Sequence, residues 1–392
     1  MIGVVVVSRS RDVAPSVAGM PLALRNALLL QSVGCEALRV WGEGAEAWCA
    51  WIFRDDRVRV PCEVASGALQ GPYLSVSDDA LLDAATLRAL ARAPAVLFEG
   101  ADPVAVHRAS GVAAEPLRDA GEGALHGGVN PALRVRSAEE ARAASRVLLQ
   151  RLRKPQDGIV SRALNRRISL AVTSVLCRTP LRPNQLSVGI LAIGALGAWC
   201  AAQGNHAALA VGGVLFQAQS VLDGCDGELA RLTFRGSRLG EWVDTVGDDL
   251  TNYAYFGAAA VGLSRAGLGA LPLALGAVGV GAGLLASGIE YVYLARIGSG
   301  DLLKYPLGFG KDPGVSEQEA REASGAKRLA GALRPLFKRD FFVFAAMLCA
   351  LAGPRATLVM LALFAAGAVA TLGAVLRSEW ARRGVAPGQE GA

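Results

Sequence analysis

Carboxylates recur at helical intervals through residues 221–249, VLDGCDGELARLTFRGSRLGEWVDTVGDD, a stretch bounded on both sides by strongly apolar sequence. Read as two helices joined by a turn at Gly236-Ser237, the first places Asp223, Asp226, Gly227, Ala230 and Arg231 at i, i+3, i+4, i+7 and i+8, one helical face. The second places Gly240, Asp244 and Asp248 four residues apart, again on one face. Folding this hairpin brings four carboxylates into one pocket. At a membrane boundary they repel one another and carry a large desolvation cost unless cations neutralise them. Mg²⁺ or Mn²⁺, hard ions that take oxygen ligands, meet that need. Gly227, Ala230 and Gly240 lack bulk on the same faces and leave room for a ligand, while Arg231 offers a fork suited to phosphate. Two ions bridged by carboxylates beside such an arginine describe a phosphoryl-transfer site. Asp249 is expected to face away from the pocket. A carboxylate cluster among membrane helices also suits an ion or proton pathway. An EF-hand fits poorly, because DGCDGE lacks the loop's ligand spacing and closing Glu.

The elements that must position these residues fall into a soluble half and a membrane half. Residues 1 to about 135 alternate short β-rich runs (GVVVVS, AVLFEG) with helical patterns (PLALRNALLLQSVG, DDALLDAATLRALARA), the signature of an α/β domain. Residues 137–153 predict a helix with Ser137 as N-cap and Glu140 closing a capping box. The basic, amphipathic stretch that follows fits helices on a membrane surface. Beyond it, six hydrophobic spans are expected near 185–203, 206–230, 242–264, 269–295, 341–353 and 356–376, the fifth short for a crossing of about 20 residues. Lys and Arg crowd the segment before the first span, the 231–238 connection and the long loop 296–340, whereas the opposite turns offer only Arg265 and Arg355. Both termini and the aspartates are therefore expected on the cytoplasmic side of the cell inner membrane. Many of the glycines, as in GALGAWCAAQG and GAVGVGAGLLASG, read as close helix contacts.

The spacing Asp223-x2-Asp226-Gly227-x2-Ala230-Arg231-x8-Gly240-x3-Asp244-x3-Asp248 resembles the signature of the CDP-alcohol phosphotransferase family, integral membrane enzymes with six transmembrane helices. The resemblance implies that Asp223, Asp226, Asp244 and Asp248 hold two divalent ions, Mg²⁺ or Mn²⁺. It implies that Asp248 is also the general base on the acceptor hydroxyl, and that Asp223, Gly227, Ala230, Arg231, Gly240 and Asn184 line the CDP site. It further implies displacement of CMP from a CDP-alcohol, transfer of the remaining phosphoryl group to an alcohol acceptor, and a homodimer among membrane lipids.

A second stretch, KPQDGIVSRALNRRISLAVTSVLCRTPLRPNQLS, is similar to the linker and first membrane helices of bifunctional inositol-phosphate cytidylyltransferase/di-inositol-phosphate phosphate synthases, through Lys154-Pro155, Asp157-Gly158, Ser161-Arg162, Asn165-Arg166 and Pro183-Asn184. The KRDFF run at 338–342 extends the likeness. This layout implies a nucleotidyltransferase-like α/β domain over 1–136, a linker with amphipathic helices over 137–183, an all-α six-helix transferase domain over 184–383 and a tail over 384–392. The first domain departs from the pattern. Its loop SRSRDVAPSVAGMPLALR lacks the early glycines that cradle a triphosphate, and Met20 stands where a lysine is often found. Asp78 or Asp79 is placed to match a metal-binding aspartate. The domain is expected to be degenerate, with Arg9 and Arg11 available to an anion or simply solvated. Arg162, Arg166 and Arg167 suit a phosphorylated acceptor or anionic lipid head groups equally. The alternative within the same chemistry is a phospholipid synthase using CDP-diacylglycerol. The alternative of another class is a non-catalytic transporter or sensor.

Other features bound the reading. The net charge of +6 is not gathered into a basic run interleaved with aromatics, so nucleic acid is not an expected partner. The seven cysteines form no CxxC pair and read as small buried side chains. The three histidines are scattered and suggest no metal site. The opening run MIGVVVVS is too short and lacks the basic flank of a signal peptide, and reads as a buried strand.

Overall fold

The computed structural model describes residues 1–8, 14, 16–99, 102–109, 112–113, 116–117, 124–125, 133–153, 157–306 and 338–383. Arg9, Arg11, Lys154, Pro155, most of the long loop before residue 338 and the 384–392 tail lie outside these described residues. The chain divides into two compact units. One is Met1–Arg153 with Ser174–Pro180 and Leu232–Arg235, and the other is Lys154–Thr173 with Leu181–Arg231 and Gly236–Ala392.

The first unit is built on a mixed seven-stranded sheet. Its strands are β1 (Ile2–Val7), β2 (Ala37–Gly42), β3 (Cys62–Val64), β4 (Tyr73–Ser77), β5 (Ala95–Glu99), β6 (Asp102–Arg108) and β7 (Ala124–Leu125), in the order β7-β5-β6-β4-β1-β2-β3. β1 lies centrally, parallel to β2 and β4, and β6 runs antiparallel to β4 and β5. The run VVVV of β1 is buried throughout, which is the expected appearance of a strand covered on both faces. Helices α1 (Leu22–Ser32), α2 (Ala45–Phe53) and α3 (Ala84–Leu90) supply Leu24, Leu28, Trp48, Ile52 and Leu87 to a core closed by Val5, Val40, Leu74 and Val76 from the sheet. Helix α4 (Ala138–Gln150) starts at the expected capping box: Ser137 Oγ accepts from Glu140 N at 3.1 Å, and Glu140 Oε2 accepts from Ser137 N at 3.2 Å.

The second unit is helical. A short π-helical turn over Ser161–Asn165 leads into α5 (Arg166–Leu176), followed by α6 (Pro183–Ala201), α7 (His206–Thr233), α8 (Arg238–Leu263), α9 (Leu271–Arg296), α10 (Arg339–Ala352) and α11 (Pro354–Arg383). These last six fall at the six apolar stretches. Four of them, α6, α7, α9 and α11, are long and apolar enough to cross a membrane. Carboxylates interrupt α8, and α10 has 14 residues, short of a full crossing. An aromatic core joins α7, α8, α10 and α11: Phe216 stacks on Tyr255 at 4.1 Å, Phe256 on Phe364 at 4.2 Å, and Phe342 tilts against Phe256 at 5.3 Å. Glycines bring the backbones together, as expected. A Cβ at Gly212 would stand 2.7 Å from the Gly197 carbonyl oxygen, and one at Gly279 would meet the Phe364 ring at 2.7 Å.

Candidate active site

Helices α7 and α8 form the expected hairpin. Ser237 caps α8, its hydroxyl accepting from Gly240 N at 3.0 Å, so the second helix begins just after Gly236. Phe234 takes a positive φ of 55° where the chain leaves α7. The hairpin brings Asp223 and Asp248 to one cation. Arg339, the first residue of α10, donates from Nη1 to Asp248 Oδ2 at 2.5 Å and to Asp223 Oδ2 at 3.3 Å, while its Nη2 lies 3.4 Å from Gln219 Oε1. Asp226 is buried, accepting from Ser187 Oγ on α6 and from Gly227 N, each at 2.5 Å. Asp244 is exposed one turn before Asp248. Asp249 does turn elsewhere: it accepts from Ser287 Oγ at 2.5 Å and Tyr291 OH at 2.7 Å on α9, and Tyr253 OH bonds Ser287 Oγ at 2.8 Å.

Small residues of the signature lie on both helices. The Arg231 guanidinium lies over Gly227, 3.3 Å from where a Cβ would be, and half-buried Ala230 shares that face. Gly240 faces Asn184 at the start of α6, whose Oδ1 stands 3.8 Å from the same hypothetical carbon. The starts of α6 and α8 thus meet at Asn184 and Gly240, and Asp226 towards the C-terminal end of α7 reaches α6 through Ser187.

Beside Asp223 opens a cavity of about 470 Å³, lined also by Asp157, Ser161, Asn165, Arg166, Ser169, Ser220, Lys338, Arg339 and Asp340. Arg166 is fixed in its wall, with Nε and Nη2 on Asp157 at 2.8 and 2.9 Å and Nη1 on Glu228 Oε1 at 2.7 Å. Glu228 is fully buried and also accepts from Ser169 Oγ at 2.8 Å and Thr173 Oγ1 at 2.7 Å. Burial works against the charge of Arg166, yet the Asp157 and Glu228 carboxylates outweigh it and hold the guanidinium above its ordinary range. Arg162 and Arg167 are exposed and do not line the cavity. Asp340 accepts from Ser161 N at 2.8 Å, and its carboxylate fills the space a side chain at Gly158 would need.

Hard divalent ions suit this donor set, since Asp248 Oδ1 is buried and accepts no hydrogen bond. Among the described residues, however, no three acidic, histidine or cysteine side chains are drawn together closely enough to hold an ion.

A family model described as CDP-alcohol phosphatidyltransferase matches residues 181–308, a stretch that contains the four aspartates, Arg231, Gly240 and Asn184. The chain carries a CDP-alcohol phosphatidyltransferase domain. Similar curated proteins are each called bifunctional IPC transferase and DIPP synthase. That of Aquifex aeolicus is 38% identical over 27% of this chain and 24% of its own length, and that of Thermococcus kodakarensis is 41% identical over 29% and 26%. The Archaeoglobus fulgidus protein is 31% identical over 32% and 25%. The chain therefore spans about a quarter of the length of the curated relatives it matches. A crystal structure of Mycobacterium tuberculosis phosphatidylinositol phosphate synthase with CDP-DAG bound aligns with a TM-score of 0.40 and 18% identity, over 55% of this chain and 94% of that one.

Three polar residues around the phosphatidyltransferase domain were not assigned a role by sequence reasoning. Arg339 and Lys338 lie far along the chain from the aspartates, and their only signal was the KRDFF run. Glu228 sits inside the signature, but at one of its variable positions. In the first unit, Asp78 accepts from Ser8 N and Oγ at 3.1 and 2.9 Å, and Asp79 accepts from Ser77 Oγ at 2.6 Å and pairs with Arg134 at 2.9 Å.

Proposed function

We propose that this protein is an integral membrane transferase that displaces CMP from a CDP-alcohol and passes the substituted phosphate to an acceptor of the inositol-phosphate type. The observation that carries the reading is that Asp223 belongs at once to the carboxylate cluster and to the wall of a polar cavity bearing Lys338 and Arg339. In this reading the donor's diphosphate lies over Gly227, Ala230, Arg231, Gly240 and Asn184. The acceptor occupies the cavity, its phosphate near Lys338 and Arg339, with serine hydroxyls and Asn165 available to its hydroxyl groups. Arg166 belongs to the wall, while the exposed Arg162 and Arg167 face lipid head groups, each worth about 1 kcal/mol.

Asp248 takes the proton of the acceptor hydroxyl as the oxygen bonds to the β-phosphorus. The bond from that phosphorus to the bridging oxygen breaks, and CMP leaves with the electron pair. Two divalent ions, held by Asp223, Asp226, Asp244 and Asp248, would supply charge neutralisation at the diphosphate. The small faces of α7 and α8 orient the donor, and Arg231 offers its fork to a phosphate oxygen.

In the same reading α8 and α10 complete a six-span domain, and the active site and both termini face the cytoplasm of the inner membrane. The domain limits are 1–136, 137–183 and 184–383, and the protein works as a homodimer. The first domain is a degenerate nucleotidyltransferase, because Asp78 and Asp79 are already engaged by serines and Arg134. Purified protein incubated with Mg²⁺, an inositol-phosphate acceptor and either CDP-inositol or CDP-diacylglycerol is expected to release CMP with CDP-inositol. Release with CDP-diacylglycerol alone would make it a phospholipid synthase, and release with neither would remove the transferase reading.

A further inference from the structure

Resting on the transferase reading, we infer that Arg339 competes with divalent ions for Asp223 and Asp248, and that ion binding frees this arginine for an anion in the adjoining cavity. The guanidinium is in contact with Oδ2 of both carboxylates, at 3.3 and 2.5 Å. Those are oxygens that the ions need. A small divalent ion binds its ligands at about 2.0–2.1 Å and approaches along the same lines as the guanidinium. A singly and a doubly charged cation on shared oxygens repel strongly at such separations. One must leave.

The side chain is built to be the one that moves. Its backbone is anchored, because the neighbouring Asp340 accepts from Ser161 N and packs on Gly158. The guanidinium end is held less completely. Its Nε is buried with no hydrogen-bond partner, and Gln219 Oε1 is 3.4 Å away, beyond a good bond. Arg339 also lines the 470 Å³ cavity beside Lys338, so the space it turns towards already carries positive charge and polar walls. An anion there is the partner that compensates for loss of the two carboxylates. Ion and anion therefore help each other to bind through one side chain, and thermodynamic linkage makes the help reciprocal.

The test is Mn²⁺ binding by the full chain in detergent, followed by calorimetry and by electron paramagnetic resonance with no donor or acceptor present. Arg339→Met is expected to bind Mn²⁺ about tenfold more tightly than the wild type. Sulfate, as a probe anion, is expected to tighten Mn²⁺ binding roughly fivefold or more in the wild type and to have no such effect in Arg339→Met. Arg339→Gln, closer in shape and polarity, should repeat both results and guards against misfolding of the Met variant. Equal or weaker Mn²⁺ affinity in a variant that melts like the wild type overturns the inference, as does an absence of Mn²⁺ binding in every protein. If CMP release is intact while the affinities are equal, this inference alone has failed. If the affinities differ as expected while no CDP-alcohol is turned over, the transferase reading alone has failed.

Discussion

Asp223, Asp226 and Asp248 lie within one hairpin, yet their surroundings differ enough to separate their roles. Asp226 is enclosed by Ser187 and the Gly227 amide, a fixed setting that suits the ligand role proposed for its carboxylate. Asp248 keeps a buried oxygen with no hydrogen-bond partner, which suits the general-base role proposed for it. Asp248→Asn is therefore expected to lower single-turnover rates by about 10²-fold or more while leaving CDP-alcohol affinity within a few-fold. Asp226→Asn should weaken both. Titration calorimetry with a CDP-alcohol and Mg²⁺, beside rapid-quench kinetics, separates the two; equal loss of affinity would leave Asp248 a ligand only. At this scale the sequence was informative where contacts are local. Intervals of three and four residues placed Asp223 with Asp226, and Asp244 with Asp248, because helix geometry alone decides which side chains share a face. Arg339 was opaque for the opposite reason: its bond to Asp248 spans 91 residues, and no periodicity encodes a tertiary contact of that length.

Helices were legible as elements, with ends shifted by a few residues, because apolar runs and caps are local signals. Their packing was legible only as a surplus of glycine. The structure shows which glycines matter. A side chain at Gly262 of α8 would drive into the Ala201 carbonyl at the end of α6, whereas Gly281 of α9 has open space around it. Gly262→Ala is expected to destabilise the helical unit by about 1–3 kcal/mol through overpacking. Gly281→Ala should be neutral or stabilising by up to about 1 kcal/mol through helix propensity. Thermal melting in detergent would compare them, and similar melting temperatures for the two would contradict this account of the α6–α8 contact. α10 is short because the chain breaks at Gly353, with a φ of 120°, and Pro354 opens α11, while Arg339 and Asp340 take up the first turn beside the cavity.

For the whole molecule, composition separated an α/β half from a helical half, since buried parallel strands and membrane-length helices leave different apolar patterns. The runs GVVVVS and AVLFEG became β1 and β5, while the mixed strand order was not readable from pattern, because register and direction are set by distant partners. Sidedness can be tested directly. Cysteines placed at Gln203, in the α6–α7 turn, and at Gly236, in the α7–α8 turn, sit at opposite ends of α7. Against the native thiol background, a membrane-impermeant reagent applied to intact cells should label the Gln203→Cys protein. The Gly236→Cys protein should react only after permeabilisation. The reverse pattern would put the aspartates on the outer face, away from a cytoplasmic CDP-alcohol.

The neighbours Asp248 and Asp249 point to different partners, one to Arg339 and the other to Ser287 and Tyr291 on α9. Inserting or deleting one residue earlier in α8 turns everything beyond it by about 100°, so neither set of partners can be met without losing the other. This helix can drift by substitution but not by change of length. Across lineages, α8 should therefore hold its residue count between Gly240 and Asp249 even where its apolar side chains have been replaced freely.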